Sequence, residues 1–217
     1  MPFSPEAPLS GVNRQLKPDE YLWYERTVKY DSKKLSGTRL ILHFGAVDQI
    51  CTVYINGIKT CSHTGGYLPF DTDITGILKN NAEKKSFTIT VCVKDFSDTS
   101  YHASGKQSLN PHGMFYTAQS GIWQTVWLEY VPKNYIRKII TEPDLDKKVL
   151  RIKAVTNSRQ SRDKNNNKLK YKSTKTTEIR ICIKNPETYA DIHVDNNSAK
   201  DVRIKEIHSK KHCIPFT

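Results

Sequence analysis

The residues of this chain that could do chemistry are its carboxylates, histidines, cysteines and one aromatic-tipped loop. Bond cleavage between two sugars usually needs a carboxylate pair roughly 5–9.5 Å apart. No acidic pair here stands in such a motif, because Glu25 and Glu129 fall within alternating strands as solvent-facing partners of lysines. No Gly-x-Ser-x-Gly elbow, P-loop or dinucleotide fingerprint is present. Asp71 and Asp73, in FDTDIT, have two readings: oxygen donors for a calcium ion, or carboxylates that bind backbone N–H groups of a turn. His43, His63, His102 and His112 are scattered at spacings that suit no metal site. No catalytic residue, metal site or cofactor is therefore expected. The remaining candidate surface is GKQSLNPHGMFYTAQ, residues 105–119, followed by Trp123. Aromatic faces suit the C–H faces of sugars, while Lys and Gln can hydrogen-bond hydroxyls. Lys106, Gln107, Tyr116 and Trp123 are the candidate carbohydrate-facing residues; the alternative is that Phe115 and Tyr116 pack beneath the loop.

The elements that must position this loop are strands. EYLWYERTVKY (20–30) is rich in aromatic and β-branched residues, and TRLILHFGAV (38–47) alternates until Gly45 breaks it. In ICTVYINGIKTCSH, Cys51, Val53 and Ile55 share a face, and Asn56-Gly57 supplies a type I′ turn. SFTITVCVKD (86–95) buries Phe87, Ile89, Val91 and Val93. SGIWQTVWLEYV (120–131) does the same with Ile122, Val126, Leu128 and Tyr130, leaving Trp123, Thr125 and Trp127 opposite. One short helical turn is expected in DITGILKNN (73–81), capped by Asp73 or Thr75. Gly65 and Gly66 turn the chain where side chains would clash, and Tyr67-Leu68-Pro69-Phe70 anchors its return. This pattern predicts an all-β protein whose residues 1–132 form a sandwich or jelly roll.

Pro132 marks a joint. Beyond it NYIRKIITEPD, KKVLRIKAVTN, TEIRICIKN, ADIHVDN and DVRIKEIH are short and alternating, as in an immunoglobulin-like sandwich. About five strands are visible where roughly seven are expected, so residues 133–217 predict a partial domain of that kind.

Net charge separates the two segments. Residues 1–132 carry 13 Lys/Arg against 12 Asp/Glu, whereas residues 133–217 carry 21 against 10. Much of the excess lies in SRQSRDKNNNKLKYKSTKT (158–176), which reads as a disordered, solvated basic loop. Stacking aromatics at useful spacing do not surround it, so no nucleic-acid partner is expected. No stretch approaches the roughly 20 apolar residues of a membrane span. The start, MPFSPEAPLSG, lacks the layout of a secretory signal. Five cysteines, with no Cys-x-x-Cys, read as buried reduced thiols. A two-residue turn would put Cys51 opposite Ser62 and Cys61 opposite Thr52, with the two sulfurs on opposite faces. A cytoplasmic protein is expected, unless an export signal lies outside this chain.

Three stretches taken together carry a resemblance: PFSPEAPLSGVNRQLKPDEYLWYERT, FGAVDQICTVYINGIKTCSHTGGYLPFDTDIT and SGIWQTVWLEYVP. In this order, through most of residues 2–132, they resemble the amino-terminal sugar-binding domain of glycoside hydrolase family 2, which includes β-galactosidases, β-glucuronidases and β-mannosidases. The resemblance implies a galactose-binding-like jelly roll followed by an immunoglobulin-like domain. In the family a (β/α)₈ barrel comes next and holds both catalytic glutamates, so none is assigned here. Several members place an acidic residue just ahead of the Ser-Gly-Ile motif, where this chain has Phe115. Gly105–Gln107 and Tyr116–Thr117 match instead a subgroup with Gly-Lys-Gln and Tyr-Thr, which implies that this loop edges the barrel's sugar pocket. The implied function is a non-catalytic sugar-binding portion of a β-glycosidase, with carbohydrate and the barrel as partners. The alternative is a stand-alone carbohydrate-binding module.

Overall fold

The computed structural model describes residues 3–80, 85–144 and 149–157, and beyond them the backbone of five short strands. The chain forms two compact units, Met1–Lys133 and Asn134–Thr217. In the first, the strands are β1 (Leu22–Lys29), β2 (Thr38–Phe44), β3 (Val47–Asp48), β4 (Ile50–Ile55), β5 (Ile58–Thr64) and β6 (Phe70–Asp73). They continue as β7 (Ser86–Lys94), β8 (Gln107–Ser108), β9 (Tyr116–Thr117), β10 (Gly121–Ile122) and β11 (Val126–Pro132). A single helical turn, α1 (Thr75–Lys79), follows β6. Asp73 Oδ1 accepts the Thr75 N–H at 3.0 Å and its Oδ2 meets Arg39 at 2.7 Å, which satisfies the turn reading of FDTDIT.

A four-stranded antiparallel sheet, β1–β7–β4–β5, faces a three-stranded one, β11–β2–β6, with the two-stranded β10–β3 ladder beside them. Side chains alternate across each strand, so Phe87, Ile89, Val91 and Val93 of β7 meet Leu40, Leu42 and Phe44 of β2 in one core. Ile122, Val126, Leu128 and Tyr130 join it as expected. The expected strand through SGIWQTVWLEYV is however broken: β10 pairs with β3, β11 pairs with β2, and residues 123–125 step between. Gly45 ends β2 because the chain there runs against that step; a Cβ would lie 2.7 Å from Gln124 Cβ.

The β4–β5 hairpin corrects the expected register. Its turn has Asn56 at φ +50° and Gly57 at φ +79°, as Asn-Gly requires. Thr60 is then an extra residue, so Val53 pairs with Cys61 and Thr52 with Ser62. The bulge moves Cys61 onto the same inner face as Cys51, where both sulfurs pack against the core as free thiols. Burial rewards this choice: the weakly polar thiol goes inward, and the Ser62 hydroxyl meets Thr52 Oγ1 at 3.3 Å outside. Because a Cβ at Gly57 would touch nothing within 4 Å, Gly57→Ala should cost only the left-handed backbone term, about 1 kcal/mol. Urea unfolding midpoints of the two proteins check this.

Two further expectations are corrected. Glu129 does not partner a lysine: its Oε2 lies 3.1 Å from His43 Nε2, and the His43 ring stacks on Trp127 at 4.7 Å. In Tyr67-Leu68-Pro69-Phe70 only Phe70 anchors the return, stacked between Phe44 and His63, while Tyr67 and Leu68 are exposed.

In the second unit β12 (Ile136–Asp144) pairs antiparallel with β13 (Val149–Thr156), and β13 with a later strand, β18 (Val202–Arg203). Between them lie the ladders β14 (Ser161–Arg162) with β15 (Leu169–Lys170) and β16 (Thr177–Cys182) with β17 (Tyr189–Val194). Apart from β14 and β15, the basic tract 158–176 lies outside the described residues.

Candidate functional site

The 105–119 loop closes on itself through a short parallel ladder that pairs Gln107 with Tyr116 and Ser108 with Thr117. The Tyr116 N–H donates to the Lys106 carbonyl at 2.8 Å, and the Ala118 N–H to Ser108 at 3.2 Å. Asp98 fastens the loop from below, accepting from Ser108 Oγ at 2.8 Å and from the Leu109 N–H at 3.3 Å. Held in this way, Met114, Phe115 and Tyr116 are exposed, with Tyr116 at 66%. Tyr116 thus does not pack beneath the loop, whereas Phe115 keeps a tilted contact with the His112 ring at 5.7 Å.

The four candidate residues divide into two pairs. Lys106 and Tyr116 present their side chains to solvent at the rim. Gln107 instead uses both ends of its amide internally: Oε1 accepts the Gln119 N–H at 2.6 Å and Nε2 donates to Asp48 Oδ2 at 3.4 Å. Trp123 is 39% exposed, and its indole N–H donates to the Gly66 carbonyl at 2.8 Å. The Tyr67 ring stands edge-on to Trp123 at 6.4 Å. A Cβ at Gly105 would lie 3.9 Å from the Tyr67 hydroxyl, so Tyr67 spans from Trp123 to the start of the loop. The rim is one connected surface of Tyr67, Lys106, Tyr116 and Trp123.

Beneath it sits a group that sequence reasoning missed. Asp48 is 6% exposed, pairs with Gly121 across β3–β10, and receives Gln107. Gly66 rests directly on its carboxylate; a Cβ there would come within 2.7 Å of Asp48 Cγ. This is the clash expected of the Gly65-Gly66 pair, with Gly65 at φ +118° supplying the turn. Burial pushes the Asp48 carboxyl up to about 6, the nearby Asp95 adds to the shift, the Gln107 amide opposes it, and Glu6 adds a little. Its neighbours are occupied too. Asp95 Oδ1 accepts the Ser97 N–H at 2.7 Å, and Glu6 accepts the Leu16 and Ser120 N–H groups at 3.1 Å each. The signal in the sequence was an acid placed between the apolar runs of β2 and β4, where solvent is excluded.

Chemically this arrangement positions loops. Asp48 is enclosed by Gly66 and Gln107, and Asp95, Asp98 and Glu6 are each held by backbone N–H groups. Among the described residues no group of three or more His, Cys, Asp or Glu could hold a metal ion.

Comparison with known proteins agrees with this architecture. Residues 12–132 match the glycosyl hydrolases family 2, sugar binding domain. Human beta-glucuronidase is 27% identical over 135 residues, covering 55% of this chain and 21% of that protein. A beta-galactosidase of Thermoanaerobacter pseudethanolicus is 26% identical over 140 residues, covering 62% of this chain and 17% of that protein. The chain thus spans about one fifth of the length of these curated relatives. Among solved structures, Bacteroides uniformis beta-glucuronidase 3 shares the fold, with a TM-score of 0.51 and 21% identity over 66% of this chain and 20% of that one. With more than half of its length matched and its strands, turns and SGIW step all in place, the chain belongs to glycosyl hydrolase family 2, through that family's sugar binding domain.

Proposed function

We propose that residues 12–132 are the sugar-facing, non-catalytic scaffold of a family 2 glycosidase whose whole protein hydrolyses β-glycosidic bonds in carbohydrates. In this reading a (β/α)₈ barrel supplies both reacting glutamates, one as acid/base and one as nucleophile, in a retaining mechanism. Tyr116 and Lys106 touch the saccharide at the barrel's edge, while Gln107 and Trp123 position the loop and the Gly65-Gly66 turn behind them. The antiparallel strands of Asn134–Thr217 support an immunoglobulin-like domain as the second element.

One observation carries the reading: the carboxylates nearest the rim are spent on the fold, and the side chains it exposes are aromatic and basic. Assaying this chain beside a barrel-bearing relative on aryl β-glycosides tests it. Turnover by the relative alone is the expected outcome, and credible turnover by the isolated chain would defeat the proposal.

A second reading, a stand-alone carbohydrate-binding module, is favoured by the exposure of Tyr116 and Lys106 side by side at the rim. Under that reading calorimetry detects saccharide binding by the chain itself. Loss of one stacked ring or one hydrogen bond, in Tyr116→Ala or Lys106→Ala, then weakens it by about 0.5–1.5 kcal/mol. Absence of binding across a broad glycan panel removes this reading and leaves the first intact.

A further inference from the structure

Four strands stand at the edges of the two larger sheets of the first unit: β1 and β5 in one, β11 and β6 in the other. An edge strand offers unpaired N–H and C=O groups to any extended chain, and folds blunt it by shortness, a bulge or charge. β6 has only 4 residues, and β5 carries the Thr60 bulge. β11 is longer, but its one charged side chain, Glu129, is taken up by His43. β1 is different. Its 8 residues, LWYERTVK, include no glycine or proline and pair with β7 in unbroken register. Among the described residues no backbone hydrogen bond from outside that ladder reaches them. Only charge guards this edge. Trp23, Glu25, Thr27 and Lys29 alternate onto the outer face and are exposed, while Tyr24, Arg26 and Val28 take the other side. Glu25 stands opposite Thr90 of β7 and Lys29 opposite Ser86, so neither meets an opposite charge on the neighbouring strand. Neither forms an ion pair among the described residues.

The charge pattern of β1 is complementary to itself. Two copies that continue the sheet edge to edge run antiparallel about a two-fold axis perpendicular to it. Outer-face residues must then oppose outer-face residues, which restricts the axis to a residue rather than to the gap between two. Each choice of axis has a distinct consequence. An axis at Glu25 sets Glu25 against itself, and one at Arg26 sets Arg26 against itself; like charges directly opposite are destabilising. An axis at Tyr24 places Glu25 against Trp23 and Arg26 against Leu22, so every charge faces an apolar side chain. Axes at Trp23 or Val28 leave only 3 residues of β1 in the ladder. The axis at Thr27 is the favourable one. It opposes Glu25 to Lys29 twice, lays the Arg26 stem against Val28, and keeps 5 residues of β1 paired. Tyr24 against Tyr30 extends it, because the Tyr30 N–H donates to the Lys85 carbonyl at 3.0 Å and prolongs the strand. Charges that repel most registers therefore select one.

We propose that the free edge of β1 takes a second copy of this chain, paired antiparallel about a two-fold axis at Thr27, with Glu25 of each copy against Lys29 of the other. It uses none of the rim residues, so it stands or falls apart from the sugar-facing reading. The ladder is short, so monomer and dimer exchange reversibly. Sedimentation equilibrium of the whole 217-residue chain over a range of concentrations tests it. The wild-type chain should dimerise as concentration rises, and more weakly at high salt. Glu25→Lys or Lys29→Glu alone should weaken the dimer by about tenfold, since each turns two attractive pairs into two repulsive ones. The double variant, Glu25→Lys with Lys29→Glu, should restore it. Thermal melts confirm that the exposed-site variants remain folded. A zero-length carbodiimide crosslink gives a second readout. Within one strand Glu25 and Lys29 stand about 13 Å apart, so an amide joining them forms only between copies. Peptide mapping of the crosslinked dimer should find that amide. A chain that stays monomeric overturns the proposal and leaves the edge to an extended segment of another protein. So does a dimer indifferent to the single variants, a double variant that fails to recover, or a crosslinked dimer without the Glu25–Lys29 amide.

Discussion

Gly121→Ala should lower the stability of the first unit by roughly 2–5 kcal/mol, the largest effect expected of any single methyl group added to this fold. Two costs combine. Gly121 has φ +82°, where an L side chain loses about 1–2 kcal/mol. The added Cβ would also press on the Tyr24 hydroxyl and approach Leu22 Cδ2 at 2.8 Å. Overpacking of that kind adds about 1–3 kcal/mol. Tyr24 cannot easily yield, because its hydroxyl accepts the Ile122 N–H at 3.2 Å and lies deep enough for burial to push its own ionisation up to about 12. Gly37→Ala is the matched control, since its Cβ meets nothing within 4 Å and its φ is −115°. Chemical denaturation of both variants reads the difference, and equal midpoints would show that the close approach at Gly121 is relieved without cost.

The second large effect depends on pH. Asp48 holds its proton to about pH 6 in the folded chain, whereas an unfolded aspartate loses it near the ordinary value of 3.8. Between those values the native state binds more protons, so the contribution of this group to stability falls as pH rises through roughly 4 to 6. Above pH 6 the full cost of ionising a buried carboxyl remains, on the order of 2–3 kcal/mol. Asp48→Asn has no charge to bury. Its melting temperature should therefore match or trail the wild type near pH 4 and exceed it by several degrees at pH 7.5. Melts at the two pH values check this, and an offset between the proteins that does not change with pH would remove Asp48 as the titrating group. Reading the difference between variant and wild type isolates this carboxyl from Asp73, which Thr75 and Arg39 hold below its ordinary value.

The strands were legible wherever one face is buried, because period-two alternation records the core directly: the apolar residues of β7, and Ile122, Val126, Leu128 and Tyr130, point inward as read, although the strand carrying the last four is broken. The Asn56-Gly57 turn was legible because positive φ narrows the choice of residue. What lay beyond reading was set by partners distant in sequence. The Thr60 bulge follows from where Cys61 can be buried, and no local pattern marks it. Likewise Glu129 finds His43 only once β11 and β2 are paired. At the rim the residue types pointed to a loop that the fold holds at the surface. Composition could not tell Tyr116, which faces outward, from Gln107, whose amide is consumed within the loop, because both alternate on the same short ladder.

Glu6 and Ser4 give the sandwich a border that lies ahead of its matched portion. Glu6 bridges Leu16 and Ser120, and Ser4 Oγ donates to Gln119 at 3.3 Å. The family match opens at residue 12, six positions after the carboxylate that clasps the entry to SGIW. Grafting this domain between relatives, or trimming it to homology limits, would leave that clasp behind and free the end of the 105–119 loop. The graftable unit is therefore defined by a hydrogen bond rather than by an alignment edge.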